Sequence, residues 1–148
     1  MRKVIAIIVG ILFICFCFYL DNKQDNEINK VALEDLNLHL VGVVDNVDYV
    51  SNGYYHGCGI IRVRIISSNI KEYTPPPDQK FYFCIIKNGK AEIYSGAFGI
   101  IYGDTLTINT KRKLMSVERN GKKEDEGSIS VDEDDGYYAY ISKHHEKF

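Results

Sequence analysis

Short apolar runs that alternate every second residue, cut apart by Asn-Gly and Gly-Asp pairs, direct this chain toward an antiparallel β fold. Leu36, Leu38 and Leu40 alternate with Asn37 and His39, and the run continues through Val41, Gly42, Val43 and Val44. That is the period of a strand, and a glycine inside it invites a bulge or a sharp bend. The pattern predicts one long, bent first strand over residues 36–49. Asn52-Gly53, Asn88-Gly89 and Asn120-Gly121 supply residues that tolerate positive φ, as tight reversals require. Residues 60–66 form the next predicted strand, with Ile61, Val63 and Ile65 on one face and Arg62 and Arg64 on the other. Residues 80–87 are apolar on both faces and are expected as a covered central strand, returning through Asn88-Gly89 into 91–95. Pro75, Pro76 and Pro77 forbid helix and ladder alike, so 69–78 is a loop. Further strands are expected at 105–109 and 114–119, while 122–126 is too charged for a core. Residues 128–131 and 137–141 flank the acidic run 132–135 and are expected as a C-terminal hairpin. No long amphipathic helix is expected after residue 40. The predicted fold class is all-β, antiparallel and closed into a small barrel, because short strands need hidden edges.

Ahead of this pattern lies an uncharged run, residues 4–20, opened by Val4 and closed by Leu20, with Arg2 and Lys3 before it and Asp21 after it. This is the layout of a segment handed to a translocation machine, with its basic end kept in the cytoplasm. Three fates stay open. Cleavage has only Cys15-Phe16-Cys17 as a small-x-small trio, and lipidation finds Ile14 and Phe16 where a small residue belongs. An uncleaved anchor needs about 17 residues at least, which the run just supplies. The expected organisation is a signal anchor or signal peptide at 1–20, a polar juxtamembrane spacer at 21–35 and the β domain at 36–148. The expected location is the bacterial cell envelope, membrane-anchored with the C-terminal domain outside the cytoplasm, or secreted if the leader is cleaved. Removing Arg2 and Lys3 from the 18 basic residues leaves 16 against 20 acidic ones, a formal −4 for residues 21–148. An acidic domain gives no electrostatic reason to expect nucleic acid as a partner.

Four elements follow in order: Gly42-Val43-Val44, His56-Gly57, the alternating strand from Ile60 and Gly103-Asp104-Thr105. Over residues 38–113 the chain resembles small exported or lipidated OB-like β-barrel proteins of unknown function from Gram-negative bacteria. The resemblance implies an OB-like barrel in the envelope and attaches no activity to it. The chain departs from that group in lacking a proper lipobox and in carrying residues beyond the shared core.

No constellation of residues spells out a reaction, so the expectation is a binding module, not an enzyme, with no cofactor. Tyr54, Tyr55 and His56 lie between Asn52-Gly53 and Gly57-Cys58-Gly59, and glycines on both sides let a ligand approach closely. They are the ligand-binding candidates, with an envelope protein or a glycan as partner; the competing reading makes the tyrosines a plug of the barrel end. More broadly, Tyr49, Tyr102, Tyr137, Tyr138 and Tyr140 would add to an aromatic face or simply pack. Cys58 and Cys84 are the cysteines outside the leader and the candidates for a disulfide. An alternative reading is a metal-handling or thiol-active protein using His56, Cys58 and Cys84, since Cys and His suit Zn or Cu(I). A second alternative is a structural accessory subunit. The acidic run 132–135 fails as an EF-hand, because Val131 falls where the first ligand should be.

Overall fold

The computed structural model describes residues 2–50, 57–97 and 99–145. The long bent strand expected from the leucine alternation is β1 (His39–Tyr49), and the Ile/Val alternation makes β2 (Cys58–Ser68). The reversal at Asn88-Gly89, with φ of 53° and 74°, joins β3 (Cys84–Lys87) to β4 (Lys90–Gly96). Strands β5 (Thr105–Asn109), β6 (Leu114–Arg119) and β7 (Lys122–Ser128) follow, the last pair joined by Asn120-Gly121 with φ of 53° and 75°. All pair antiparallel in one sheet of order β3-β4-β2-β1-β5-β6-β7.

The bend in β1 has its cause in Gly42. The register against β2 shifts between Val41 and Gly42, and again between Val44 and Asn46. A Cβ at Gly42 would meet Val63 Cγ1 at 2.4 Å and the Arg64 carbonyl oxygen at 2.7 Å, so no larger residue allows the two backbones so close.

The sheet is open, which corrects the expected closed barrel. Closure would require β3 to pair with β7, and each outer edge is already protected in its own way. Along β3, the Tyr73 N–H and carbonyl exchange bonds with Ile86 at 2.9 and 2.8 Å. One step earlier the Tyr138 hydroxyl donates to the Tyr82 carbonyl at 2.6 Å and accepts from the Tyr82 N–H at 3.0 Å. On the far side, every residue of β7 is exposed, and Lys122, Lys123, Glu124, Asp125 and Glu126 line it with charge. Val117 pairs with Asp125 and Glu118 with Lys123, which leaves Glu124 as the extra residue of a bulge. Charge and a bulge are standard protections for an exposed edge. The expectation that 122–126 is too charged for a core holds. It is a strand nonetheless, because a ladder needs only backbone partners on one side.

The run 80–87 is an edge, not the expected central strand; only Cys84–Lys87 pairs in it. Its two-sided apolarity answers a helix. The C-terminal hairpin is likewise absent: residues 135–144 form the short helix α2 (Asp135–His144) in its place. The acidic run that suggested a turn tip is the helix start. Asp134 is the N-cap, its carboxylate accepting from the Gly136 and Tyr137 N–H groups at 2.7 and 3.0 Å. Tyr137, Tyr138 and Ile141, spaced as one helical stripe, are buried. The Tyr137 hydroxyl donates to the Gly59 carbonyl at 2.8 Å, and Tyr138 meets Phe81 and Tyr82 edge-on, with ring centroids 5.2 Å apart in each case.

Beneath α2 the sheet carries a buried charge. Arg62 Nε pairs with Glu92 Oε1 at 2.9 Å, and the Tyr94 hydroxyl donates to the other Glu92 oxygen at 2.9 Å. Glu92 and Tyr94 are fully buried, so this carboxylate is held by partners that satisfy it. Arg62 Nη2 also donates to the His144 carbonyl at 2.8 Å, and Tyr140 Oη donates to Asp48 Oδ1 at 2.9 Å, tying the end of α2 down.

At the other terminus, α1 (Arg2–Asn29) passes without a break from the apolar run into the polar residues after it, then into a π-helical turn, Lys30–Glu34, that buries Ala32 and Leu33. From Val9 to Leu20 its large apolar side chains stay exposed, Phe13 at 66% and Leu12 at 63%. Among the residues searched, no helix is long and apolar enough to cross a membrane.

Candidate functional site

A cavity opens where the last turns of α1 and the segment before α2 meet the sheet. Its volume is about 590 Å³, within the range of small-molecule sites. Asp25 and Asn29 reach it from α1, Cys58 from the start of β2, Ser95 from the end of β4, and Asp132 and Glu133 from the segment before α2. Local structure fixes each. The Asn29 side chain bridges the two chain ends: its Nδ2 donates to the Asp25 carbonyl at 2.9 Å and its Oδ1 accepts from the Val131 N–H at 2.9 Å. Asp132 Oδ1 accepts from the Asp134 N–H at 3.0 Å, an Asx turn that leads into the helix cap. Its other oxygen lies 3.6 Å from the Cys58 thiol, which donates to it.

The site is electrically negative. Burial, then the Asp25 carboxylate, then Asp132, push the Glu133 carboxyl above its ordinary value. Burial first and Asp132 second push the Cys58 thiol up to about 11. A thiol so protonated is a poor nucleophile at neutral pH and a poor metal ligand. Cys84 is fully buried, and burial raises its thiol further. A thiol-active site therefore finds no support in either residue.

The sheet order also separates the two cysteines. Cys58 lies opposite Gly96, and Cys84 opposite Ile93, on the two flanks of β4. Two interstrand spacings put them about 10 Å apart before the offset along β4 is added. A disulfide needs Cα atoms within about 7 Å. Both thiols are free, which corrects the expected disulfide; the same separation rules out one ion shared by Cys58 and Cys84. Among the described residues no group of three His, Cys, Asp or Glu side chains is placed to hold a metal.

Tyr54, Tyr55 and His56, the ligand-binding candidates, lie outside the described residues. Of the other tyrosines, Tyr137 and Tyr138 are core and Tyr140 is tied to Asp48. Tyr49 and Tyr102 are exposed at 44% and 76%. Tyr49 Oη donates to the carbonyls of Ala97 and Ile100, at 3.1 and 2.9 Å, so its ring buttresses the loop that carries Tyr102. That loop is held from beneath by Asp104, almost wholly buried, whose oxygens meet Arg119 Nε and Nη2 at 2.8 Å each; the pair holds the Asp104 carboxyl below its ordinary value.

Asp25, Ser95 and Glu133 escaped the sequence reading. Their signal was the helix stripe Tyr137, Tyr138 and Ile141 after Asp134: recognising that cap turns the acidic run from a solvated tip into a wall between two helices. No protein-family model matches the chain, and no curated protein or solved structure is significantly similar to it.

Proposed function

We propose that the chain is a membrane-anchored binding module of the bacterial envelope, with its C-terminal domain outside the cytoplasm, and not an enzyme. The observation that supports this is α1. Its described apolar side chains are exposed on every side from Val9 to Leu20, although the chain buries a full core elsewhere. A helix apolar all round has its place in a core or in lipid, not in water. The uncharged run extends back to Val4, giving 17 residues and about 25 Å of helix, against a hydrocarbon core of about 30 Å. Arg2 and Lys3 then set the orientation, N-terminus inside.

The domain behind the anchor offers a walled cavity and an exposed loop, which suits binding. The test is fractionation of the full chain expressed in a Gram-negative host. Retention in the membrane pellet after alkaline carbonate washing is expected, with release on Leu12→Lys plus Phe13→Asp. A wild-type chain found in the soluble fraction without detergent overturns the anchor. A C-terminal reporter active only in the cytoplasm overturns the orientation.

A further inference from the structure

The cavity between α1, the sheet and the segment before α2 has a chemical bias of its own. Its ionisable walls are Asp25, Asp132, Glu133 and the Cys58 thiol, and among the described residues no Lys, Arg or His lines it. We infer that this cavity binds an organic cation, an ammonium group on a small molecule, drawn in by the carboxylates along its wall, Glu133 foremost, and bonded by the Ser95 hydroxyl. The inference rests on reading the domain as a binding module and names the ligand class.

Ser95 is the observation that turns an acidic wall into a site. It is 7% exposed, it lines the cavity, and its hydroxyl has no hydrogen-bond partner in the protein among the described residues. Yet no buried side-chain oxygen or nitrogen is left without both partner and solvent. The hydroxyl therefore opens to the space it lines. A hydroxyl held at the cavity wall with no protein partner is left to bond with whatever occupies the cavity. An ammonium group presents N–H donors to hydroxyl and carboxylate oxygens together.

The field in the cavity agrees. Glu133 and Cys58 are both pushed toward their protonated forms, in part by neighbouring carboxylates. Burial, the larger cause, disfavours charge of either sign, but the carboxylates that repel an anion there attract a cation. A divalent metal is the poorer fit, since no three ligating side chains come together among the described residues. Met115 and Val131 add apolar wall, which suits the carbon skeleton of an organic amine and gives a bare ion nothing.

Two sources would supply such a group. Asp25 lies five residues past Leu20, about 7.5 Å along the helix, so the cavity stands at head-group height if the anchor spans. An ethanolamine head group and a free amine are then chemically alike.

The experiment uses the full chain in nanodiscs of phosphatidylglycerol, titrated calorimetrically with putrescine, with succinate as the anion of similar length. Putrescine is expected to bind and succinate not to bind. Glu133→Gln is expected to weaken putrescine about tenfold or more, and Ser95→Ala by several-fold, with the far-ultraviolet spectrum and melting temperature of each variant showing that it is folded. Nanodiscs containing phosphatidylethanolamine distinguish the sources: displacement of putrescine assigns the lipid head group, and undiminished binding assigns the free amine. No binding by wild type at millimolar putrescine overturns the inference, as does binding that Glu133→Gln and Ser95→Ala leave unchanged. Those results leave membrane retention untouched, so failure of the ligand and failure of the anchor read separately.

Discussion

The two helices of this protein invert the usual link between apolarity and burial. Helix α1 carries 17 consecutive uncharged residues and leaves its large apolar side chains from Val9 to Leu20 exposed; α2 reads D-G-Y-Y-A-Y-I-S-K-H and buries Tyr137, Tyr138 and Ile141. The difference lies in pattern. An even coat of apolar residues has no face to turn toward one sheet, whereas three residues on one stripe dock completely. Hydrophobic content places α1 in a medium, and hydrophobic periodicity places α2 on a partner.

Four substitutions or titrations press on that contrast. The largest effect is expected from Tyr137→Ala. It removes a fully buried ring and its bond to Gly59, at a cost of about 3–5 kcal/mol. Chemical denaturation of the full chain checks it, and a loss under 1 kcal/mol would mean that α2 is not docked. Next is Asp134→Ala, which strips the cap from two N–H groups for about 1 kcal/mol. Asp134→Ser should restore most of that, while an alanine variant as stable as wild type would remove the cap from the account.

A pH titration probes the point where the two helices approach each other. Because Glu133 has a raised carboxyl pKa in the folded chain, its stabilising contribution is full below its unfolded value, near 4.5. The contribution is lost as pH rises through the folded value. Asp25 on α1, with Asp132 and Cys58, faces it there. The melting temperature of wild type relative to Glu133→Gln should therefore decline from pH 4.5 upward; a parallel course of the two curves would show that the carboxyls do not interact. Asp104 runs the other way. Arg119 depresses its pKa, so its contribution is present above the ordinary carboxyl value, 3.8, and is lost as pH falls through the lower folded one. The smallest effect on folding is expected from Leu12→Lys in α1, where the side chain is 63% exposed. Denaturation of the β domain in detergent should be unchanged within about 0.5 kcal/mol. A large loss would show that the apolar run of α1, and not only its last turns, packs on the domain.

What was legible in the sequence follows from the same physics. Gly42 announced its bulge, and Asn88-Gly89 its hairpin, because both are local demands on the backbone that few other residues meet. The strand alternation of β1, β2 and β5 was equally local. Strand β7 was illegible as a strand: K-K-E-D-E carries no apolar face, and its membership depends on β6 alone. The position of β3 at the edge was hidden because Phe83 and Ile86 are buried in the core and Phe81 and Tyr82 meet Tyr138 of α2, so the apolarity of the run does not require a strand on each side. The cavity was least visible of all. Asp25 and Glu133 lie more than a hundred residues apart, and only the helical reading of 135–144 brings them together.

The place of α2 in the chain sets an order of assembly. The strands it covers, β2 and β4, are made some 40 to 80 residues earlier, and the hairpins β3–β4 and β6–β7 close over two-residue turns that form quickly. The aromatic face around Tyr82 nevertheless stays bare until α2 arrives. A nascent chain cannot seal itself early: Arg62 waits for the carbonyl of His144, and the edge at Tyr82 waits for the hydroxyl of Tyr138. Truncation ahead of α2 would thus leave a sheet with one side unlidded and one margin open, the combination that turns a monomer into an aggregate. The lid is made after every strand it must meet, so the domain is finished only once α2 has been added.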